Sequence, residues 1–299
     1  MRNFYLTNKI LVEIKMLSKR SKIQYTVTAV LLTSLLALMH GCIRFRTSDS
    51  KATKEFKDQK YKPQFHTYKV GKRTIHYVEC GNDSLPAVIF VHGSPGSWDA
   101  CKDYMKDDTL LRSLRVIAPD RPGFGYSDFG DSEPSLEMQA EVLKPLLLKE
   151  NKKVILVGHS YGGPVIARMA IDFPENIKGL LFIAGSIDPA HEKLTWYQKA
   201  LYHAPLKWII PGVFRVSGEE ILPLKKELTE MLSGWQQITV PVIVLQGDKD
   251  VLVPKENADF AEQKLVNAPK EIIRIKNENH FIPWTQPKMV REAVLKLAK

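Results

Sequence analysis

The sequence predicts an α/β protein in which a mostly parallel central sheet is covered by helices on both faces. Three observations support this prediction. Short runs of continuously apolar residues recur along the chain, amphipathic segments separate them, and the 299 residues have an ordinary globular composition of 44% hydrophobic and 25% charged residues. Continuous apolar strands are typical of sheets that are buried on both faces.

The expected strands begin with a hairpin and continue as buried runs. Segments 67–70 and 74–79 flank a turn at Gly71 and Lys72, as expected for two antiparallel strands. The later runs are continuously apolar, and they cover residues 87–91, 115–119, 154–158, 179–185, 240–247 and 271–275.

Helical periodicity between these runs predicts the covering layers. The expected helices cover residues 135–149, 161–173, 255–265 and 286–298. Pro145 lies in the first of them, where it should kink the helix or mark its last turns.

The segment from about 187 to 235 interrupts the alternation after the sixth strand. It has no clear strand pattern, carries many aromatic and leucine side chains at helical spacing, and is too long for a loop. We therefore expect a helical cap over the sheet. The alternative is a set of helices beside the sheet that has no part in a pocket.

The net charge of +10 is concentrated near the N-terminus. Residues 1–22 carry six basic and one acidic side chain, and residues 42–62 carry seven basic and three acidic ones, which leaves a net charge of +1 for residues 63–299. A nucleic-acid-binding domain needs a basic surface on its folded part. We therefore expect no nucleic acid as a partner.

The first 41 residues are expected to be a signal peptide or a membrane anchor. A basic flank precedes the apolar run 26–39, and Gly41 and Cys42 follow it. This order resembles a bacterial lipoprotein signal, a resemblance that implies lipidation of Cys42. An uncleaved signal anchor, ordinary secretion and a buried cytosolic helix are the alternatives, and Met16 is a second candidate start.

Three segments follow from this interpretation. Residues 1–41 are the signal or anchor, residues 42–62 are a polar, Lys-rich tether without structure, and residues 63–299 are the folded α/β domain. We expect the domain to be exported and tethered to a membrane, on a periplasmic or extracellular face.

The motif Gly158-His159-Ser160-Tyr161-Gly162 joins an apolar run to an amphipathic helix. Glycines two residues on either side of a serine allow a sharp turn that exposes the hydroxyl above the edge of the sheet. The N-terminus of the following helix favours developing negative charge nearby. Ser160 is therefore a candidate nucleophile.

A nucleophilic serine needs a histidine base and a carboxylate that orients it. His280 follows the run 271–275, and Asp250 follows the run that ends at Gly247. Ser160, Asp250 and His280 therefore occur in the order Ser, acid, His, each after a strand. Asp248 and Asp188 are alternative candidates for the acid.

These motifs resemble the α/β-hydrolase family, and the resemblance covers most of residues 65–299. Segment 90–97 resembles that family's HGxPG loop, and segment 120–127 resembles its loop after the fourth strand. The resemblance implies an oxyanion hole formed by the backbone N–H groups of Ser94 and Tyr161. One difference is Asn279, where the family often has glycine.

The resemblance implies a serine hydrolase that cleaves an ester-like bond without a metal or organic cofactor. The aromatic side chains of the expected cap indicate an apolar pocket, so we expect a small or medium apolar substrate. Haloalkane dehalogenases and epoxide hydrolases of this fold carry aspartate where this chain has Ser160, and proline iminopeptidases usually carry tryptophan at the position of Tyr161. Lactones, thioesters, amides and C–C bonds are alternative substrates of the same triad. A membrane-tethered protein that binds a ligand without turnover is the alternative from another class.

Overall fold

An eight-stranded sheet forms the centre of the computed structural model, which describes residues 45–194 and 210–299. The strand order is β1-β2-β4-β3-β5-β6-β7-β8. β1 pairs antiparallel with β2 and β2 antiparallel with β4, while all other neighbours are parallel. The strands are β1 (Gln64–Val70), β2 (Arg73–Cys80), β3 (Ala87–Val91), β4 (Arg115–Pro119), β5 (Val154–His159), β6 (Ile177–Ile183), β7 (Val242–Gly247) and β8 (Lys270–Ile275).

Helices cover both faces of this sheet, which confirms the predicted α/β class. The described α-helices are α1 (Asp49–Glu55), α2 (Asp108–Leu111), α3 (Leu136–Leu148), α4 (Gly162–Asp172), α5 (Gly212–Glu230), α6 (Glu256–Lys264), α7 (Ile282–Thr285) and α8 (Pro287–Ala298). Short 3₁₀ turns lie at Trp98–Cys101, Tyr104–Lys106, Pro174–Asn176 and Leu232–Gln237. Pro145 lies in the last turn of α3, in agreement with the sequence.

The two faces of the sheet bury separate apolar clusters. Along β3, Ile89 and Val91 belong to one cluster, whereas Val88 and Phe90 belong to the other. Successive side chains of a strand point to opposite faces. Both faces of the central strands are therefore core, which explains why their sequences are continuously apolar rather than alternating.

The segment between β6 and β7 contains the long helix α5, as the predicted cap requires. Val213 and Val216 of this helix pack on Phe124, which lies in the loop after β4. The cap helix α5 therefore lies over loops at the carboxyl ends of the strands. Residues 195–209 of the predicted cap lie outside the described residues.

The structure corrects the expectation that residues 42–62 are an unstructured tether. Ser48 caps the N-terminus of helix α1. Ala52 and Phe56 are completely buried in the apolar cluster that contains Val88 and Phe90, the second apolar cluster. Lys102 pairs with Glu55 at 3.0 Å, and Arg46 donates to the Gly125 carbonyl at 2.7 Å. The segment is rich in lysine, but Ala52 and Phe56 lie one helical turn apart on one face, and their burial docks this helix on the domain.

No helix within the described ranges 45–194 and 210–299 is both long enough and apolar enough to cross a membrane. The predicted signal or anchor (residues 1–41) and Cys42 lie outside the described residues.

Candidate active site

Ser160 occupies a strained turn between β5 and α4. Its backbone φ is +53°, a left-handed conformation that residues other than glycine seldom adopt. A Cβ on Gly158 would lie 2.5 Å from the Gly162 carbonyl oxygen, and one on Gly162 would lie 2.1 Å from that of Val91. The two glycines thus permit the tight turn expected from the motif, and Ser160 lines the adjacent cavity.

Asp250 and His280 come together from the loops that follow β7 and β8. The Nδ1 atom of His280 lies 2.8 Å from Oδ2 of Asp250, and both side chains are buried. Oδ1 of Asp250 accepts the backbone N–H groups of Leu252 and Val253 at 2.9 and 2.8 Å. These donors fix the orientation of the carboxylate toward the imidazole.

The two alternative acids have other partners. Asp248 is exposed and accepts the backbone N–H of Asn277 at 2.6 Å. Asp188 pairs with Nδ1 of His191 at 2.6 Å. Of the three carboxylates considered from the sequence, Asp250 is the one that the structure places against His280.

A cavity of about 600 Å³ brings the predicted residues together. Ser94, Ser160, Tyr161 and His280 all line it. Within residues 45–194 and 210–299, neither the Ser94 nor the Tyr161 backbone N–H has a hydrogen-bond acceptor. Two free amides beside the serine can bind an oxyanion.

His92 supports the loop that carries Ser94. Its Nδ1–H donates to the Gly93 carbonyl at 2.7 Å, and its Nε2 accepts the Arg121 backbone N–H at 3.0 Å. One nitrogen must donate and the other accept, so the ring is neutral with its proton on Nδ1. Complete burial lowers the pKa of His92 well below its usual value, and the Arg121 charge lowers it further.

The sequence did not reveal the contacts between the cap helix α5 and the loops that carry Ser94 and Arg121. Oγ of Ser94 donates to Oγ of Ser217 at 2.7 Å. The Arg121 guanidinium forms a buried two-pronged ion pair with Glu220, at 2.6 and 2.9 Å. The Tyr161 hydroxyl donates to the Glu220 carbonyl at 3.3 Å, and its ring packs against Arg121. No sequence motif marks Ser217 or Glu220.

His159 is a second supporting residue, and the motif alone did not predict its role. Its Nε2–H donates to the backbone carbonyl of His280 at 3.0 Å. Its ring lies edge-on to Trp284, with centroids 5.4 Å apart. Its place beside the nucleophile in the motif is the sequence signal that could have directed attention to it.

The two cysteines of the described domain are free. Cys80 and Cys101 are buried thiols. Burial raises the pKa of Cys80 to about 12 and raises that of Cys101 even more strongly. Both thiols therefore remain protonated and unreactive near neutral pH.

Comparisons with known proteins agree with this architecture. Residues 86–208 match a family model described as the alpha/beta hydrolase fold. A solved structure of a putative lipase, lip1, from Acinetobacter baumannii AYE superposes with a TM-score of 0.60 at 22% identity, covering 84% of this chain and 97% of that one. The chain is an α/β-hydrolase-fold protein, as its motifs predicted.

Two curated relatives match part of the chain. The AB hydrolase superfamily protein YfhM of Bacillus subtilis (strain 168) is 28% identical over 113 residues, or 37% of this chain and 39% of YfhM. Epoxide hydrolase 1 of Caenorhabditis elegans is 28% identical over 116 residues, or 38% of this chain and 28% of that protein. The chain thus aligns with less than two-fifths of the length of either relative.

Proposed function

We propose that this protein is a serine hydrolase that cleaves an ester-like bond of a small or medium apolar substrate. The observation that carries the proposal is the buried hydrogen bond between Asp250 and His280, 2.8 Å long, at the cavity that Ser160 lines. A strained serine, a histidine and an orienting carboxylate are the groups that nucleophilic acyl transfer requires.

In the proposed mechanism, Nε2 of His280 accepts the proton of Ser160 while the serine oxygen attacks the substrate carbonyl. The backbone N–H groups of Ser94 and Tyr161 donate to the resulting oxyanion. Collapse of the tetrahedral intermediate expels the alcohol, which takes the proton from His280. His280 then removes a proton from water while the water oxygen attacks the carbonyl of the acyl-enzyme. Collapse of this second intermediate breaks the ester bond to Ser160 and releases the acid, and His280 returns the proton to the serine oxygen.

The lining of the cavity supports an apolar substrate. Leu194, together with Ile221 and Leu224 of the cap helix α5, forms part of the cavity wall. A pocket with apolar walls and a few polar groups is typical of small-molecule sites. Lactones, thioesters, amides and C–C bonds are further substrates that this proposed triad could cleave.

Ser160 distinguishes this proposal from epoxide hydrolysis, although three curated relatives carry that name. The sequence resemblance associates epoxide hydrolases of this fold with aspartate at the position of Ser160. A serine oxygen forms a carbonyl ester with an acyl substrate, which water can then hydrolyse. A serine ether formed by opening an epoxide would lack a carbonyl for water to attack.

Labelling with a fluorophosphonate and turnover of p-nitrophenyl esters of increasing acyl length test this function together. We expect the full chain to be labelled and to hydrolyse the esters, and Ser160→Ala to lose both properties. Ser84→Ala, an exposed loop serine, is the matched control and should keep both. Absence of labelling in the unmodified chain would favour the alternative of a ligand-binding protein without turnover.

We also propose that the enzyme is exported and tethered to a membrane through its N-terminal segment. The basic flank, the apolar run 26–39 and Cys42 support this proposal. Mass spectrometry of the native N-terminus tests it. A diacylated Cys42 is the expected result, and a free N-terminus at Met1 or Met16 without lipid would contradict lipidation.

A further inference from the structure

Four exposed apolar side chains lie at the mouth of the catalytic cavity. Val251, Leu252, Phe281 and Trp284 are 91, 63, 51 and 45% exposed, and all four line that cavity. We call them the rim patch. They are half of the eight large apolar side chains exposed in the part of the chain that the structure describes. Such a concentration at one opening indicates an interaction surface, since scattered exposed apolar residues need no explanation.

The catalytic loops themselves hold the rim patch outward. The carboxylate of Asp250 fixes the backbone of Leu252 and Val253 through two hydrogen bonds, which leaves the side chains of Val251 and Leu252 at the surface. Phe281 directly follows His280, and its ring lies 6.0 Å from that of Trp284. A partner that binds the rim patch therefore contacts both catalytic loops.

Exposed lysines lie beside the rim patch in the sequence. Lys249 and Lys255 lie on either side of Val251 and Leu252, and Lys276 lies on the neighbouring loop. One exposed carboxylate, that of Asp248, lies among them and accepts the backbone N–H of Asn277. Exposed lysines therefore outnumber exposed carboxylates on these two loops, and apolar and aromatic side chains accompanied by lysines are typical of surfaces that insert shallowly into anionic lipid headgroups.

We propose that the rim patch docks the mouth of the cavity on the surface of an anionic phospholipid membrane. The apolar side chains enter the boundary between headgroups and acyl chains, and the lysines contact lipid phosphates. An apolar substrate then passes from the lipid into the cavity without crossing water. Docking needs no turnover, and only this delivery of substrate rests on the proposed hydrolase function.

The docking orientation can be measured with one dye at two positions. Leu252→Cys and Val266→Cys are each made in a full chain that carries Cys42→Ser and Ser160→Ala, and each is labelled with an environment-sensitive dye. Val266 is exposed to 62% and precedes β8, so it lies near the amino end of that strand, whereas the catalytic loops follow the carboxyl ends. The buried thiols of Cys80 and Cys101 stay unlabelled.

Each labelled chain is reconstituted in phosphatidylcholine vesicles with or without phosphatidylglycerol, and quenching by nitroxide-labelled lipids is compared. We expect quenching at position 252 to exceed quenching at position 266 by about threefold or more, and to increase with phosphatidylglycerol. The N-terminal segment is the same in both chains, so the difference reports the orientation of the domain.

Equal quenching at the two positions, or none at either, overturns the proposal. A dye shift at position 252 that occurs without lipid and disappears on dilution assigns the rim patch to a second copy of the chain, which also overturns it. Because both chains lack Ser160, quenching can persist even if the unmodified chain hydrolyses no ester. That combination refutes the proposed function and leaves docking intact.

Discussion

The Nε2–H of His159 donates to the backbone carbonyl of His280 at 3.0 Å. The residue before the proposed nucleophile thereby holds the loop of the proposed base. Burial lowers the pKa of His159 to about 3, and the nearby imidazole of His280 lowers it as well. His159 therefore remains a neutral hydrogen-bond donor near neutral pH.

Replacement of His159 tests this positioning role. We expect His159→Ala to lower kcat for p-nitrophenyl esters by about tenfold with little change in KM, because a small displacement of a catalytic group slows the chemical step. His159→Gln keeps an N–H donor and should restore part of the rate. Equal kcat values for the unmodified chain and the alanine variant would contradict the role.

His92 makes the domain less stable in acid. The native ring stays neutral, whereas the unfolded ring has a pKa near 6.5, so only the unfolded state gains a proton as the pH falls below that value. Stability is therefore lost with falling pH. The His92 imidazole alone should lower the free energy of unfolding by about 1.4 kcal/mol between pH 7.5 and pH 5.5.

Urea unfolding of the unmodified chain and His92→Asn at both pH values measures that contribution. The variant is expected to be less stable at pH 7.5, because it loses the fixed contacts to Gly93 and Arg121. Between pH 7.5 and pH 5.5, the variant should lose about 1.4 kcal/mol less of its free energy of unfolding than the unmodified chain loses. Parallel pH dependence of the two proteins would show that His92 does not contribute.

The ion pair between Arg121 and Glu220 should be essential to the attachment of the cap helix. Glu220→Gln leaves a buried guanidinium without its counter-charge, which should lower the free energy of unfolding by about 3 kcal/mol. Glu230→Gln is the control on the same helix, since it breaks only an exposed pair with Lys226 and should cost less than about 0.5 kcal/mol. Similar values for the two variants in urea unfolding would argue against this assignment.

Phe56 anchors the N-terminal helix α1 on the domain. Phe56→Ala leaves a cavity in the second apolar cluster and should lower the free energy of unfolding by about 3 kcal/mol. Lys54→Ala changes an exposed residue of the same helix and should have little effect. If the two variants melt at the same temperature, α1 does not contribute to the stability of the domain.

Gly162 should tolerate no side chain. A Cβ there would meet the Val91 carbonyl oxygen at 2.1 Å, and that atom is fixed at the end of β3. Gly162→Ala should therefore cost about 3 kcal/mol of stability and abolish labelling of Ser160 by a fluorophosphonate. Gly185→Ala, with its nearest contact at 3.5 Å, is the matched control, and an equal loss of labelling there would contradict the steric argument.

The sequence alone determined the order of strands and helices and the turn at Ser160. Apolar periodicity is a local property, so the hairpin, the buried strands and the helices could be predicted with errors of a few residues at their ends. The paired glycines around Ser160 are equally local, since they act on the backbone between β5 and α4.

Contacts between distant segments were decided only by the tertiary structure. Asp250, Asp248 and Asp188 all followed strands, and only the geometry of the loops placed Asp250 against His280. Arg121 and Glu220 are 99 residues apart, and a buried ion pair at that separation leaves no local pattern. Charge composition gave the wrong expectation for helix α1, because two buried side chains outweigh many lysines that remain in water.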